Sequence, residues 1–180
     1  MVKRITKVTT KKGDDGSTSM ADGNRVSKAS PLINAIGEID ELNSWLGFLS
    51  SLEELEQEKG LLLNIQNCLF DVGGILTIKS MVPLKSLHLE ALELRTKEIN
   101  KELPELDNFV LPGGSKQSSV AQISRTVCRR AERSLVAAND SEPIEKSCII
   151  YINRLSDFLF VLARKLNLDS DIKEVLWTQD

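Results

Sequence analysis

Residues 10–19, TKKGDDGSTS, have the side chains that bind phosphate: two glycines, two lysines and several hydroxyl residues, with no apolar side chain. Glycines let backbone N–H groups approach phosphate oxygens, hydroxyls donate further hydrogen bonds, and lysines supply positive charge. The segment lacks the Gly-Lys-Ser/Thr run of a P-loop and the closing glutamate of an EF-hand. It predicts either a phosphate-binding loop or a solvated, flexible N-terminus, which would have the same composition.

A second candidate is the segment RTVCRRAER at residues 125–133. On a helix, Arg125, Arg129 and Arg133 follow one another at i, i+4 and i+8 and lie on one face. Residues 115–136 hold five basic side chains and one acidic side chain, a local charge of 5 − 1 = +4 in a chain whose net charge is -3. Because arginine binds phosphate and carboxylate equally well, this stripe predicts an anionic ligand or salt bridges to acidic neighbours.

Several other polar side chains stand in apolar surroundings. Asp40 and Glu41 interrupt the first apolar stripe and are the acidic candidates to bind one of the arginines. Asn153 and Asp157 share a face with Leu, Ile and Phe, where polar groups need partners, and Asn153 could bond a nucleotide or a neighbouring helix. His88 is the single histidine, and no Ser-His-Asp or Cys-His arrangement is evident, which argues against acyl transfer.

Amphipathic helices must position these side chains, because apolar residues recur at helical spacing from residue 30 onward. Ser30 is the expected N-cap of the first helix, and Pro31 its first residue. The other helices are predicted at about residues 53–77, 83–103, 115–138 and 142–167. We therefore expect one domain, an all-α, five-helix up-and-down bundle over residues 30–167, with a flexible segment at 1–29 and a tail at 168–180.

The bulk composition is that of a soluble protein, with 41% hydrophobic and 27% charged residues. A pI near 5.4 argues against a nucleic-acid binder. The three cysteines, Cys68, Cys128 and Cys148, lack partners at metal-ligand spacing and are expected to be reduced core thiols. No apolar run approaches the roughly 20 residues that span a membrane, and no signal peptide is evident, so we expect a cytoplasmic protein without a membrane partner.

Five segments, taken together and in order, resemble the PduO-type ATP:cob(I)alamin adenosyltransferases. They are TKKGDDGSTS, KASPLINAIGEIDELNSWLG, FVLPGGS, RTVCRRAER and YINRLSDFLFVLAR. The resemblance implies a bundle of the ferritin-like, cobalamin adenosyltransferase type that forms a homotrimer with ATP at each subunit interface. It also implies a reaction in which cobalt(I) attacks the 5′ carbon of ATP and releases triphosphate. The corrinoid supplies the nucleophile, which agrees with the lack of a protein base.

The resemblance also implies roles for individual residues. Asp40 and Arg125 match a salt bridge between subunits beside the active site, and Arg129 is expected to stabilise the departing triphosphate. Phe109 matches an aromatic residue that covers the lower face of the corrinoid and displaces its axial ligand. The implied ATP-binding residues are Thr10, Lys11, Lys12, Gly13, Thr18, Ser19, Lys28, Arg129, Arg130, Ala131, Glu132, Arg133 and Asn153.

The expected cofactors and partners follow from the same resemblance. ATP is the adenosyl donor, cob(I)alamin the co-substrate, and Mg²⁺ is expected to bind through the ATP phosphates. A cobalamin reductase or flavoprotein would supply cobalt(I), and an adenosylcobalamin-dependent enzyme would accept the product of this step in cobalamin biosynthesis. The alternatives are a non-catalytic ATP-binding regulator or corrinoid carrier, a purely structural helical module, and an RNA-binding helix, which the acidic composition disfavours.

Overall fold

The computed structural model describes residues 9, 11–53, 55–78 and 80–179. Within these residues, five helices form the bundle, and a two-stranded hairpin precedes them. The elements are β1 Ser17–Ser19, β2 Arg25–Ser27, α1 Pro31–Ser50, α2 Lys59–Thr77, α3 Ser86–Glu102, α4 Lys116–Asn139 and α5 Lys146–Asp169. The predicted all-α fold class is confirmed.

The order of the helices across the bundle differs from their order in the sequence. α1 packs against α2 and α4, while α5 packs against α4 and α3. This arrangement makes α4 the centre of the bundle, flanked by α1 and α5. Any side chain that leaves α4 between these two neighbours can therefore take part in a site built from three helices.

Helix starts follow local capping chemistry. The Ser30 hydroxyl accepts a hydrogen bond from the backbone N–H of Ile33, and Pro31 occupies the first turn, as predicted. Ser115 caps α4 in the same way through the N–H of Ser118. The predicted start of α2 was six residues early, because Leu55 is buried within a turn and the chain enters the helix only at Lys59. α5 was predicted to start at about residue 142 and starts at Lys146. Pro143 disfavours helical backbone geometry in the residue before it, which excludes a helix at the predicted start.

The predicted flexible N-terminal segment includes an ordered element in the part that the structure describes. β1 and β2 pair antiparallel, with Thr18 opposite Val26, and Gly23 turns the chain at a positive φ of 87°. The hairpin was not predicted, because small hydroxyl residues carry no alternating apolar signal. It leads directly into Ser30 and so lies at the N-terminal end of α1.

The core is apolar and includes all three cysteines. Cys68, Cys128 and Cys148 are buried and free of disulfides, which confirms their prediction as core thiols. Burial raises the pKa of Cys68 to about 11 and that of Cys148 to about 12. These thiols are therefore protonated at neutral pH.

The prediction that no segment is long and apolar enough to span a membrane does not hold for α2. Among the described residues it is the one helix long and apolar enough to cross a membrane, judged by length and composition alone. Its Leu62, Ile65, Leu69 and Val72 are buried in the bundle. A core helix passes the same test of length and composition.

Candidate active site

The glycine-rich segment is folded back on itself by its own basic side chains. The Lys28 ammonium donates a hydrogen bond to the Gly13 carbonyl at 2.7 Å, which joins the start of the hairpin to its end. A Cβ on Gly13 would lie 3.0 Å from that ammonium and 3.2 Å from the Ser17 carbonyl oxygen. Only glycine allows this approach without displacing the lysine. Two predicted ATP-binding residues, Gly13 and Lys28, are thus in contact.

Arg25 holds the same segment from the other side. Its guanidinium donates to the Asp15 carboxylate at 2.9 Å and to the Lys12 carbonyl at 2.6 Å. The Ser17 hydroxyl and N–H also donate to Asp15, at 2.7 and 2.9 Å. These Ser17 bonds, followed by the charge of Arg25, lower the pKa of Asp15 to about 2. Arg25 and Asp15 therefore set the shape of the loop that carries Lys11 and Lys12.

The arginine stripe on α4 is confirmed as a helical face, but its members differ in environment. Arg125 is half-buried, donates to Gln122 at 2.7 Å and lies 6.0 Å from the centre of the Phe160 ring. Burial, and then the charge of Arg129, lowers the pKa of Arg125. Arg129 is exposed, and among the described residues no carboxylate binds its guanidinium. Arg133 is also exposed and donates to the Arg129 carbonyl at 3.0 Å.

Arg130 is engaged inside the chain. Its guanidinium forms salt bridges with Glu38 and Glu41 on α1, and these hydrogen bonds raise its pKa. The sequence had singled out Glu41 and Asp40 as acidic candidates, and the structure uses Glu41 together with Glu38. The expected role of Arg130 in ATP binding stays a prediction, and these contacts favour a role in joining α1 to α4.

A groove of about 380 Å³ lies between the start of α1 and the C-terminal half of α4, next to the end of the hairpin. It is lined by Ala29, Pro31, Asn34, Arg130, Arg133, Ser134 and Ala137. Ala29 follows Lys28 in the chain, so the groove connects the glycine-rich segment with Arg133. Its polar lining includes two arginines, of which Arg130 is already paired with Glu38 and Glu41.

The α4–α5 side of the stripe carries the remaining predicted residues. The Asn153 amide donates to the Glu132 carboxylate at 2.8 Å and accepts from Arg154 at 2.8 Å. Asn153 on α5 is therefore hydrogen-bonded to Glu132 on the neighbouring helix α4. Bonding to a neighbouring helix is one of the two roles that the sequence left open. Ala131 is fully buried, so its side chain faces the core and away from Arg129.

Phe109 lies in the connection between α3 and α4, and its side chain is 80% exposed. Its ring meets that of Trp177 edge-to-face, with ring centres 6.5 Å apart. A groove of about 230 Å³ runs from Pro112 and Gly113 along α4 to Gln122 and Thr126. An exposed phenylalanine is not an anchor to the core. The groove runs from its loop to Gln122, which accepts a hydrogen bond from Arg125.

Other predicted site residues are not brought together within one chain. Asp40 is exposed on α1, and no contact between its carboxylate and Arg125 occurs in the described part of this chain. Thr18 lies in β1 opposite Val26, and Ser19 accepts a hydrogen bond from Arg25 at 3.5 Å. Thr10 lies outside the described residues. Across residues 9, 11–53, 55–78 and 80–179, no group of three or more His, Cys, Asp or Glu is placed to hold a metal ion.

The fold and site together define a helical-bundle protein with a polar groove at the C-terminal half of α4 and an exposed aromatic loop before its N-terminus. The family model for cobalamin adenosyltransferase matches residues 8–166. The chain therefore belongs to the cobalamin adenosyltransferase family, which confirms the predicted family and enzyme class.

Individual relatives agree with this assignment. A cobalamin adenosyltransferase of Cupriavidus metallidurans is 45% identical over 181 residues, covering 100% of this chain and 98% of the relative. A corrinoid adenosyltransferase of Bacillus subtilis is 43% identical over 178 residues, covering 94% of this chain and 91% of the relative.

The fold also matches a solved structure. It is a variant of the PduO-type ATP:corrinoid adenosyltransferase from Lactobacillus reuteri complexed with cobalamin and ATP, which is 33% identical with a TM-score of 0.92. The match covers 96% of this chain and 100% of that one.

Three features of the site were missed from the sequence. Arg25 and Glu38 were not predicted to belong to the site. The available signals were the position of Arg25 shortly after an acidic, glycine-rich segment and the position of Glu38 two residues before Asp40. The tail after α5 was given no structure, yet Trp177 packs on Phe109. A tryptophan near the end of a polar tail was the available signal, because a large aromatic side chain favours a buried or packed position.

Proposed function

We propose that this chain transfers the 5′-deoxyadenosyl group of ATP to cob(I)alamin, with the triphosphate bound between the glycine-rich hairpin and the exposed arginines of α4. The observation that carries the placement is the contrast within the stripe: Arg130 is neutralised by Glu38 and Glu41, whereas Arg129 and Arg133 are exposed with no carboxylate partner among the described residues, and Arg133 lines the α1–α4 groove. Positive charge without a carboxylate partner in a net acidic chain suits a polyphosphate.

In the proposed reaction the corrinoid supplies the nucleophile. Cobalt(I) gives an electron pair to C5′, the cobalt–carbon bond forms, and the C5′–O bond breaks. The bonding pair leaves on the oxygen of triphosphate, so cobalt is formally oxidised by two electrons while no proton is transferred by the protein. Donors placed where charge develops accelerate such a displacement, and Arg129 is the side chain that we assign to the departing oxygen atoms.

The N-terminal segment would close over the nucleotide. Lys28 now donates to the Gly13 carbonyl, and Lys11 adopts a left-handed backbone conformation at φ 60°. A triphosphate oxygen is a stronger acceptor for Lys28 than a neutral carbonyl, so binding would exchange one partner for the other. Lys12, Thr18, Ser19 and Thr10 would supply further donors, and Mg²⁺ would enter with the ATP phosphates, whose oxygens are the ligands it prefers.

The site would be completed by a second subunit of a homotrimer. Arg125 is half-buried without a carboxylate among the described residues, and Asp40 is exposed on α1. A half-buried guanidinium is stabilised by an opposite charge, so Asp40 of another copy fits this position. We place the protein in the cytoplasm, receiving cobalt(I) from a reductase or flavoprotein and passing its product to an adenosylcobalamin-dependent enzyme.

Phe109 would face the corrinoid. Its exposed ring offers an apolar surface that can exclude water and an axial ligand from one side of the cobalt. A cobalt(II) centre that loses an axial ligand is easier to reduce. A groove along α4 runs from Pro112 in the same loop past Gln122, which accepts a hydrogen bond from Arg125.

The test is an anaerobic incubation with ATP, Mg²⁺ and chemically reduced cobalamin. The visible spectrum should change to that of adenosylcobalamin at a rate proportional to the protein concentration, and a sample without ATP should not change in this way. A corrinoid carrier or ATP-binding regulator would bind its ligands without forming product. An unchanged spectrum with active reductant present would contradict transfer.

A further inference from the structure

The connection that carries Phe109, residues 103–115, is fastened at both ends to the last turns of α5. Arg164 donates a hydrogen bond to the Pro104 carbonyl at 2.9 Å, near the start of the connection. Asn167 accepts from the Ser115 N–H at 2.9 Å and donates to the Gly113 carbonyl at 3.0 Å, near its end. Both α5 side chains are only 4% exposed. Buried polar groups on one helix thus fix the two ends of an exposed loop.

The Asn167 side chain packs so closely against Gly114 that no side chain could be placed at that position of the loop. A Cβ on Gly114 would lie 2.1 Å from the Asn167 side-chain oxygen, and Gly114 has a φ of 104°. Both the space and the backbone conformation require glycine at this position. The loop is therefore held against α5 at close range.

The chain after α5 holds the middle of the same loop. It reverses direction where the Ile172 N–H donates to the Asn167 carbonyl at 2.9 Å, and then runs beside residues 108–111. The Trp177 N–H donates to the Phe109 carbonyl at 2.7 Å, and the Leu111 N–H to the Val175 carbonyl at 2.8 Å. We call residues 172–177 the returning strand. It contacts the backbone and the ring of Phe109.

A buried ion pair connects the returning strand with α5. The Arg164 guanidinium binds both oxygens of Glu174, through Nε at 3.0 and 3.2 Å and through Nη2 at 3.0 Å. The two side chains are 4% and 16% exposed. The same Nη2 donates to Pro104, so one guanidinium joins α5, the loop and the returning strand. A planar fork makes these bonds together, which a lysine could not do.

We infer that Arg164 and Glu174 are positioning residues for the adenosyl transfer, because together they hold the returning strand against the loop and so fix the place of the Phe109 ring. The inference rests on the proposed function, in which Phe109 faces the corrinoid. Neither side chain touches substrate. Loss of the pair should affect the corrinoid side of the reaction and leave ATP binding unchanged, since the hairpin and the α1–α4 groove share no residue with it.

The first variant is Glu174→Gln, which keeps the shape and removes the charge. We expect amide hydrogen exchange of Leu111 and Trp177 to quicken by at least about tenfold, because their bonds join the loop to the returning strand. We expect the KM for cobalamin to rise several-fold and the KM for ATP to stay the same. Glu102→Gln is the matched control, because it breaks the 3.2 Å pair with Lys165, the residue after Arg164, and leaves the bonds of Arg164 to Glu174 and Pro104 intact.

The second variant combines Arg164→Met with Glu174→Gln. It leaves no unpaired buried charge, so a change in exchange cannot be attributed to unfolding caused by such a charge. It should keep the helix content of the parent protein and still exchange Leu111 and Trp177 quickly. Exchange as slow as in the parent protein, in either variant, would overturn the inference. Equal increases in both KM values would overturn it too, since they indicate a general structural change. Failure of the proposed function itself would show differently, as absence of product in the parent protein.

Discussion

The hairpin and the Phe109 loop, the two regions of the proposed site, are held in opposite ways. In the hairpin, on the proposed nucleotide side, Arg25 and Asp15 form an ion pair whose side chains are 38% and 67% exposed. On the aromatic side, Arg164 and Glu174 form one whose side chains are 4% and 16% exposed. Exposed pairs contribute little and break easily, whereas a buried pair is costly to break. The comparison indicates a hairpin that can rearrange around a ligand and a loop that keeps its place.

The largest expected effect is on the nucleotide side, at Arg129. Arg129→Ala should reduce turnover by at least about tenfold, or about 1.4 kcal/mol in the barrier, because a donor to the leaving group is lost. The free energy of unfolding should hardly change, since the side chain is exposed. Lys116→Ala is the control, as it removes one exposed positive charge from the same helix. Equal turnover in the Arg129 variant and the control would reassign Arg129 to the surface.

The proposed contact between Asp40 and Arg125 of neighbouring subunits should give the next largest effect. Asp40→Arg and Arg125→Asp should each reduce turnover several-fold, because each leaves like charges facing one another across the interface. Combining the two restores opposite charges and should recover part of the activity. Steady-state assays of the three variants at equal protein concentration measure the recovery. If each single variant retained parental turnover, no such contact would support the site.

Arg130 offers a comparison with its neighbour in the sequence. Arg130→Ala should lower the free energy of unfolding by about 1 kcal/mol or less, since it removes partly exposed bridges to Glu38 and Glu41. Turnover should fall less than in the Arg129 variant. Urea denaturation and the corrinoid assay provide the two measurements. Lys59→Ala, which removes an exposed pair with Glu56, is the control for stability. A loss of turnover as large as that at Arg129 would instead make Arg130 an ATP ligand.

The smallest effect is a titration in the hairpin. The depressed pKa of Asp15, about 2, means that its contribution to stability is present above the usual carboxyl pKa and is lost as the pH falls through about 2. The Ser17 hydroxyl is the largest cause, so Ser17→Ala should move the titration midpoint upward. A carbon NMR titration of the Asp15 carboxyl group follows this shift, and an unmoved midpoint would contradict the assigned hydrogen bond.

Much of the fold could be predicted because its signals are local. Ser30 with Pro31 marks the start of α1, and the spacing of Arg125, Arg129 and Arg133 places them on one face whatever the helix packs against. The partners of Arg130 could not be predicted with the same certainty. The acidic residues that contact Arg130 are decided by the packing of α1 against α4. The sequence suggested Asp40 and Glu41, and the observed partners are Glu38 and Glu41.

The returning strand shows the limit of sequence reasoning most clearly. Its hydrogen bonds to the Phe109 loop join residues more than sixty positions apart, such as Asn108 to the Trp177 carbonyl at 2.7 Å. No periodicity within residues 168–180 indicates such pairing. The sequence also gives no sign that Glu174 is paired with Arg164 and not exposed to solvent. Long-range pairing is decided by tertiary packing rather than by local preference.

The direct measurement of the central claim is the ratio of products in a single anaerobic incubation with ATP and reduced cobalamin. Absorbance quantifies adenosylcobalamin, and phosphorus NMR of the same sample identifies the phosphate product. Attack at C5′ with the arginine surface holding the leaving group predicts one intact triphosphate for each adenosylcobalamin formed. Pyrophosphate or phosphate formed in place of triphosphate, or ATP consumed without a cobalt–carbon bond, would contradict the account.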